Sequence, residues 1–316
     1  MVVLSGLVSP ISRGSVKIAV VLEQPDPIAQ LADTRATRPR LIRQALAARR
    51  RRPLYEYQGP LLLISADAPA RGVIEAGDDY SALANRGDFL RRIITALEDP
   101  GVAGIVATPD VVDDLALLGA LDRRLVIGSM NPGGLAGSDL QYHGGFTAYT
   151  ADAIESANLD GGRMHLRIDD LDPSTPERMA AVAEAVNHLA WCERPALVEV
   201  QTTPMEAEFL IRSMAVAAGL GSSSAYTWLQ VPIIDPLEPI LAATTLPTII
   251  SGGEPSVENL ERWWEALGHT QVRGVIAGPS ILYPGDGDVG FSVSRAVHII
   301  HRHHARFSNT AKSTTA

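Results

Sequence analysis

The 316-residue sequence contains one cysteine, Cys192, so it can form no internal disulfide and has no thiolate cluster for zinc or iron–sulfur. Lysine is nearly missing as well: of 27 basic residues only Lys17 and Lys312 are lysines, one near each end. The body between them offers no ε-amine to form a Schiff base with a carbonyl or to grip a phosphate. No apolar run approaches the roughly 18–20 residues of a membrane span, and the opening MVVLSGLVSP lacks a basic n-region with a cleavage site. A soluble, cytoplasmic protein with no membrane contact is therefore expected. No GxGxxG opens a βα turn and no GK[ST] completes a P-loop, which removes those two nucleotide-binding readings. The net charge of −9 speaks against a general polyanion binder.

What is present is 46% hydrophobic residues in short runs, enough for one large core. Residues 1–58 read as an N-terminal extension: an apolar stretch at 16–22, a Pro/Asp turn and an Arg-rich helix ending in RRRRP. Beyond Gly59, continuously apolar strand-like runs fall at 61–66, 103–107, 125–129, 164–168, 196–200, 225–231, 246–250 and 274–277. Such runs suit strands covered on both faces. Segments of helical spacing separate them, such as Phe89, Ile93, Ile94 and Leu97, and a last helix is expected over 289–304. Eight strands each followed by a helix define an α/β fold, a (β/α)8 TIM barrel over 59–305 with an N-terminal extension. Residues 306–316 read as a disordered tail.

In such a barrel the active site lies where the strands run into the following loops. Asp67 and Glu199, ending strands one and five, could serve as general base and acid. Arg167 and Asp169, two apart on strand four, could clamp an anion, transfer protons or form a structural ion pair. Arg71, Ser129, Asn131, Tyr226, Trp228 and Gln230 lie at or near other strand ends. The small-residue loops containing Ser251, Gly252 and Gly253 and then Gly278 and Ser280 could present backbone N–H groups to a phosphate, or simply make tight turns. His165 shares parity with Arg167 and reads as a satisfied core histidine. The tail histidines from His298 to His304 end a helix, where positive charge suits the dipole. No clear ligand set for a metal emerges and no cofactor is expected, although a divalent metal is compatible with the sequence if acidic strand ends and His165 converge. RRRRP lacks interleaved aromatics, so a helix packed beneath the barrel is favoured over nucleic-acid binding.

Taken together, RRRRP (Arg49–Pro53), PARG (Pro69–Gly72), GSMNPGGLAG (Gly128–Gly137), LRID (Leu166–Asp169), GLGSSSAYTWLQVP (Gly219–Pro232), SGGE (Ser251–Glu254) and GPSILYPGDGDV (Gly278–Val289) carry a family resemblance. Over about residues 40–300 the chain resembles the class I aldolases of the deoxyribose-phosphate and tagatose-bisphosphate superfamily. It is most similar to the actinobacterial deoxyribose-phosphate aldolase-like branch associated with inositol catabolism. The resemblance implies retro-aldol cleavage of a sugar or sugar phosphate through a strand-six lysine. Gln230 stands at that position, and an amide forms no imine. Ala68 replaces a histidine of the family pattern, and Pro279 replaces a phosphate-facing arginine. The expected function is an aldolase-family carbon–carbon lyase of non-standard chemistry using Asp67, Arg167, Asp169, Glu199, Tyr226 and Gln230. A catalytically silent barrel binding a sugar or a partner enzyme is the alternative, and an imine on Lys17 is a third reading. A homo-oligomer is compatible with the sequence.

Overall fold

The computed structural model describes residues 26–57, 59–131, 145–253 and 256–313. The apolar stretch at 16–22 and Lys17 lie outside the described residues, as do Pro132–Gly137 of the SMNPGGLAG loop. Eight parallel strands close into one barrel in the order β1 to β8: Leu61–Ser65, Gly104–Ala107, Leu125–Ser129, Gly161–Ile168, Ala196–Thr202, Thr227–Pro232, Thr248–Ser251 and Val272–Ala277. Helices α1 (Leu31–Thr37) and α2 (Arg40–Ala48) precede them. The helices of the barrel are α3 (Arg86–Glu98), α4 (Pro109–Leu117), α5 (Ala151–Ser156), α6 (Thr175–Trp191), α7 (Ala207–Ala218), α8 (Leu237–Leu241), α9 (Val257–Leu267) and α10 (Val289–Ser313). The (β/α)8 barrel expected from the strand count is thus the fold. Among the described residues no helix is long and apolar enough to cross a membrane.

Local chemistry sets the helix starts. The side chains of Asn85, Thr150 and Ser256 accept from backbone N–H groups three residues on, capping α3, α5 and α9. Strand alternation then divides the apolar residues into two cores. Leu62, Ile64, Ile105, Val126, Met164 and Val198 face outward against the helices. Leu61, Leu63, Val106, Leu125, Ile127, Leu197, Ile249 and Ile276 fill the lower barrel interior. Above this layer the inward positions become polar: Ser65, Ser129, Arg163, His165, Glu199 and Gln230. That change from apolar to polar along one interior places the site at the C-terminal end.

The strands match the apolar runs to within two residues at either end, except at the start of β4. β4 begins at Gly161, three residues before the expected run, and so includes Arg163. A Cβ on Gly161 would lie 2.7 Å from the Pro195 carbonyl oxygen, and one on Gly162 2.5 Å from Met130 Sδ. These glycines are strand residues chosen for close approach, although Gly-Gly-Arg reads as a loop in sequence. At the other end, the α10 backbone stays helical to Ser313, past the expected boundary at 305.

The RRRRP segment leaves α2 and passes beneath the barrel. Leu54, Tyr57 and Trp228 pack against the lower interior core, and the Tyr57 hydroxyl donates to the Ala103 carbonyl at 2.8 Å. Arg52 lies 4.0 Å over the Tyr57 ring. Asp160, only 1% exposed, accepts from Arg49 at 3.0 Å, Arg51 at 2.8 Å and the Val126 N–H at 2.9 Å. The arginines of this segment fasten the extension to the barrel floor, in agreement with packing beneath the barrel. Removing one partner of such a buried ionic cluster leaves the others uncompensated, so Asp160→Asn is expected to cost about 3 kcal/mol in a denaturant titration. Asp122→Asn, which breaks the exposed pair with Arg50, should leave the midpoint within error of wild type.

Candidate active site

The centre of the polar layer is Arg163. Its side chain is 4% exposed, and three neighbours engage its guanidinium: Nη1 donates to Asp67, Nη2 to Glu199 and Nε to the Gln230 carbonyl oxygen at 3.1 Å. Asp67 is fully buried and also accepts from Ser65 at 2.8 Å and Ser129 at 2.5 Å. The Gln230 amide donates to the Ser251 hydroxyl at 3.0 Å. Side chains from β1, β3, β5, β6 and β7 and from the turn after β1 therefore join one network around Arg163 of β4. Isolated, each of these charges would be too costly to bury; paired and hydrogen-bonded, they are held.

Toward the mouth, Arg71 and His165 cover this floor. Arg71 sits in a 3-10 turn, Ala68–Arg71, which Gly72 ends in the left-handed region at φ 73°. Its guanidinium lies 3.8 Å from Asp67 and 3.4 Å from His165 Nε2. On the other side of the ring, Nδ1 is 3.1 Å from Glu199 Oε2. Asn131 fixes the His165 backbone from both directions, accepting its N–H at 2.7 Å and donating to its carbonyl at 2.9 Å. The neighbouring register pairs His165 with Glu199 and Glu199 with Gln230, so the three stand side by side across β4, β5 and β6.

The structure sorts the expected site residues into three places. Asp67, Ser129, Glu199 and Gln230 belong to the Arg163 network, with Arg71, Asn131 and Ser251 attached to it. Arg167 and Asp169 form an ion pair at 2.9 Å on the rim, where Arg167 also donates to the Thr203 hydroxyl at 3.2 Å. Tyr226 and Trp228 do not reach the mouth. Tyr226 precedes β6, and both line a 390 Å³ cavity at the opposite end with Arg51, Leu54 and Arg194. The expectation for these two fails because the apolar run at 225–231 sits two residues too early. Its C-terminal end, not its start, faces the site.

The glycine loops are likewise unequal. Gly252 gives its N–H to the Ile276 carbonyl at 2.8 Å and its own carbonyl accepts the Trp263 indole N–H at 2.7 Å. A Cβ there would lie 2.5 Å from the Trp263 ring, so Gly252 is a packing residue rather than an anion donor. Gly253, at φ 60°, continues the turn, and its carbonyl accepts from Ser280 at 3.4 Å. A Cβ on Gly278 would meet nothing within 4 Å.

Arg163 is the residue that sequence reasoning missed. The available signal was parity, since Arg163, His165 and Arg167 share one strand face once β4 is extended through the two glycines. His165, expected as a core histidine, is 7% exposed but borders the site. Among the described residues no group of three or more His, Cys, Asp or Glu side chains is placed to hold a metal ion.

This arrangement is a (β/α)8 TIM barrel with an ionic array at its C-terminal mouth. The Cgl0159-like family model matches residues 59–297, and the chain belongs to that family. A crystal structure of Cgl0159 from Corynebacterium glutamicum superposes with a TM-score of 0.83 at 36% identity, covering 88% of this chain and 98% of that one. A Schiff base forming fructose-1,6-bisphosphate aldolase shares the fold at a TM-score of 0.57 and 13% identity, covering 82% of this chain and 99% of its own. The fructose-bisphosphate aldolase of Slackia heliotrinireducens does so at 0.55 and 15%, over 88% and 93% of the two chains. A search of curated proteins gives no match.

Burial works against the charge of Asp67, but Arg163, Arg71 and the Ser129 hydroxyl outweigh it and hold its carboxyl far below the ordinary 3.8. Burial, reinforced by Arg163 and Arg71, pushes His165 well below its ordinary 6.5. Both groups take up protons more readily unfolded than folded. The stability His165 gives is therefore present above about pH 6.5 and declines below it, while that of Asp67 declines only below its ordinary 3.8. In calorimetric scans the wild-type melting midpoint should fall from pH 7 to 5, and His165→Gln should flatten that slope. Equal slopes would contradict the placement of a neutral, buried imidazole.

Proposed function

We propose that this protein is an aldolase-type carbon–carbon lyase acting on a sugar or sugar phosphate, with an oxyanion in place of a lysine imine as its electron sink. The observation that carries this reading is Gln230, which faces the inner mouth from β6 and is tied to Arg163 and Ser251. No lysine occurs in any of the eight strands. Retro-aldol cleavage needs somewhere to hold the electron pair released from the broken bond. An imine supplies that by becoming an enamine. Without one, the carbonyl oxygen itself must take the charge as an enolate, and preorganised donors in a water-poor site are the means of stabilising it. Arg71, together with the amide and guanidinium of the floor, provides donors of that kind.

The aldolase-like fold and the motif resemblance to the deoxyribose-phosphate aldolase-like branch associated with inositol catabolism support a polyhydroxylated substrate. The alternative of a silent, ligand-binding barrel draws on the same floor. Gln230 is 2% exposed, and the carboxylates of Asp67 and Glu199 are balanced by Arg163 and Arg71.

A retro-aldol assay on free and phosphorylated ketoses and deoxy sugars, with and without chelator, decides between them. The expected result is cleavage by wild type that survives borohydride treatment in the presence of substrate, with no mass added to the chain. A borohydride-trapped adduct on Lys17 would instead make this an imine enzyme with a relocated nucleophile. Sugar binding without cleavage would establish the silent barrel. As a converse test, Gln230→Lys is expected to form a borohydride-trappable adduct with a bound ketose, detected by mass spectrometry. A folded, sugar-binding variant that traps nothing would contradict the position given to residue 230.

A further inference from the structure

We propose that His165 is the proton-transfer residue of this site, a neutral imidazole that carries its hydrogen on Nδ1 and receives a substrate hydroxyl proton on Nε2. The inference rests on the lyase reading for its substrate and on geometry for its chemistry. A guanidinium only donates hydrogen bonds. Arg71 Nη1 lies 3.4 Å from His165 Nε2, so that nitrogen is the acceptor and bears the lone pair. The ring hydrogen then belongs to Nδ1, where Glu199 Oε2 accepts it at 3.1 Å. The Gln201 amide nitrogen also lies 3.4 Å from Nδ1, but the Glu199 carboxylate, which only accepts, is nearer to that nitrogen at 3.1 Å, and the same amide can donate to Glu199 Oε1 at 3.4 Å.

The other candidate bases are committed elsewhere. Asp67 is sealed from solvent by Arg163, Ser65 and Ser129. Glu199 already accepts from Arg163 and the ring. Asp169 is paired with Arg167 and accepts the Leu171 N–H at 3.0 Å. Asp67, Arg71, Arg163 and Glu199 are the charged groups facing the ring: the two guanidiniums oppose a proton arriving on it, and the two carboxylates favour it. Burial among these groups keeps the imidazole unprotonated at neutral pH, which is the state a base requires.

The step balances as follows. The hydroxyl beta to the substrate carbonyl gives its proton to Nε2 and its oxygen becomes an aldehyde as the adjacent carbon–carbon bond breaks. The released pair moves onto the carbonyl oxygen, giving an enolate. Arg71 transfers its hydrogen bond from Nε2 to that oxygen, which raises the basicity of the ring as the proton arrives, and Glu199 stabilises the resulting imidazolium. The imidazolium then protonates the enolate carbon, returning the ring to neutrality and yielding a ketone.

Two measurements test this. Long-range 1H–15N spectra of histidine-labelled wild type, with the His165 signals identified by difference from His165→Gln, should show a single neutral Nδ1–H tautomer at pH 7. An Nε2–H tautomer or an imidazolium at that pH would overturn the proposal without reference to any substrate. Kinetically, ketose cleavage and exchange of the C–H of dihydroxyacetone phosphate in D2O should both lose about 100-fold or more in kcat in His165→Gln, with KM changed less than about threefold and the acidic limb of the pH profile removed. Cleavage by wild type that His165→Gln retains overturns this inference and leaves the lyase reading intact. Exchange by wild type that His165→Gln loses, without cleavage of any ketose, supports His165 as the base and overturns the lyase reading, whereas exchange that the variant retains overturns this inference. Neither exchange nor cleavage overturns both.

Discussion

A guanidinium inside a barrel is the constraint on which the rest of the site depends. Arg163 projects from β4 into an interior whose lower half is packed with leucine, isoleucine and valine. Its charge can stay there only because Asp67 just after β1, Glu199 from β5 and the Gln230 carbonyl from β6 converge on its three nitrogens. Each of those partners is in turn fixed. Ser65 and Ser129 hold Asp67, Ser251 holds Gln230, and the His165 ring and Gln201 meet Glu199. One buried cation thereby sets the orientation of side chains from most of the barrel.

The consequence for chemistry lies in what occupies the strand-six position. A lysine beside Arg163 would place a second cation in a buried site, whereas a glutamine offers the arginine an acceptor and Ser251 a donor. The amide therefore suits an ionic floor, and a floor of this kind suits oxyanion chemistry better than covalent capture. Reactivity then moves one layer outward, to Arg71 and His165 on the mouth side of Arg163. The barrel is closed below by the arginine-rich segment, so the polar layer is approached from the C-terminal mouth.

The fold was legible because buried parallel strands are short, apolar and regularly spaced, and each of the eight runs overlaps an observed strand. Part of the site was legible on the same basis, since Asp67, Glu199, Gln230 and Arg71 follow from where strands end. Arg163 was not. Strand residues announce themselves by apolar side chains, and β4 opens with two glycines selected for closeness to Pro195 and Met130. Tyr226 and Trp228 show the opposite error, in which an apolar run begins before its strand does and its first residues point to the barrel floor. The tautomer of His165 was beyond any sequence argument, because it follows from which group Arg71 touches.

The most direct test of this account is the stability of Arg163→Met alone and combined with Asp67→Asn and Glu199→Gln, measured by denaturant unfolding at pH 7. If the buried charges hold one another, the single substitution leaves two carboxylates uncompensated and costs about 3–5 kcal/mol, and neutralising both acids recovers much of that loss. An Arg163→Met protein as stable as wild type, or a triple variant no better than the single one, would contradict it.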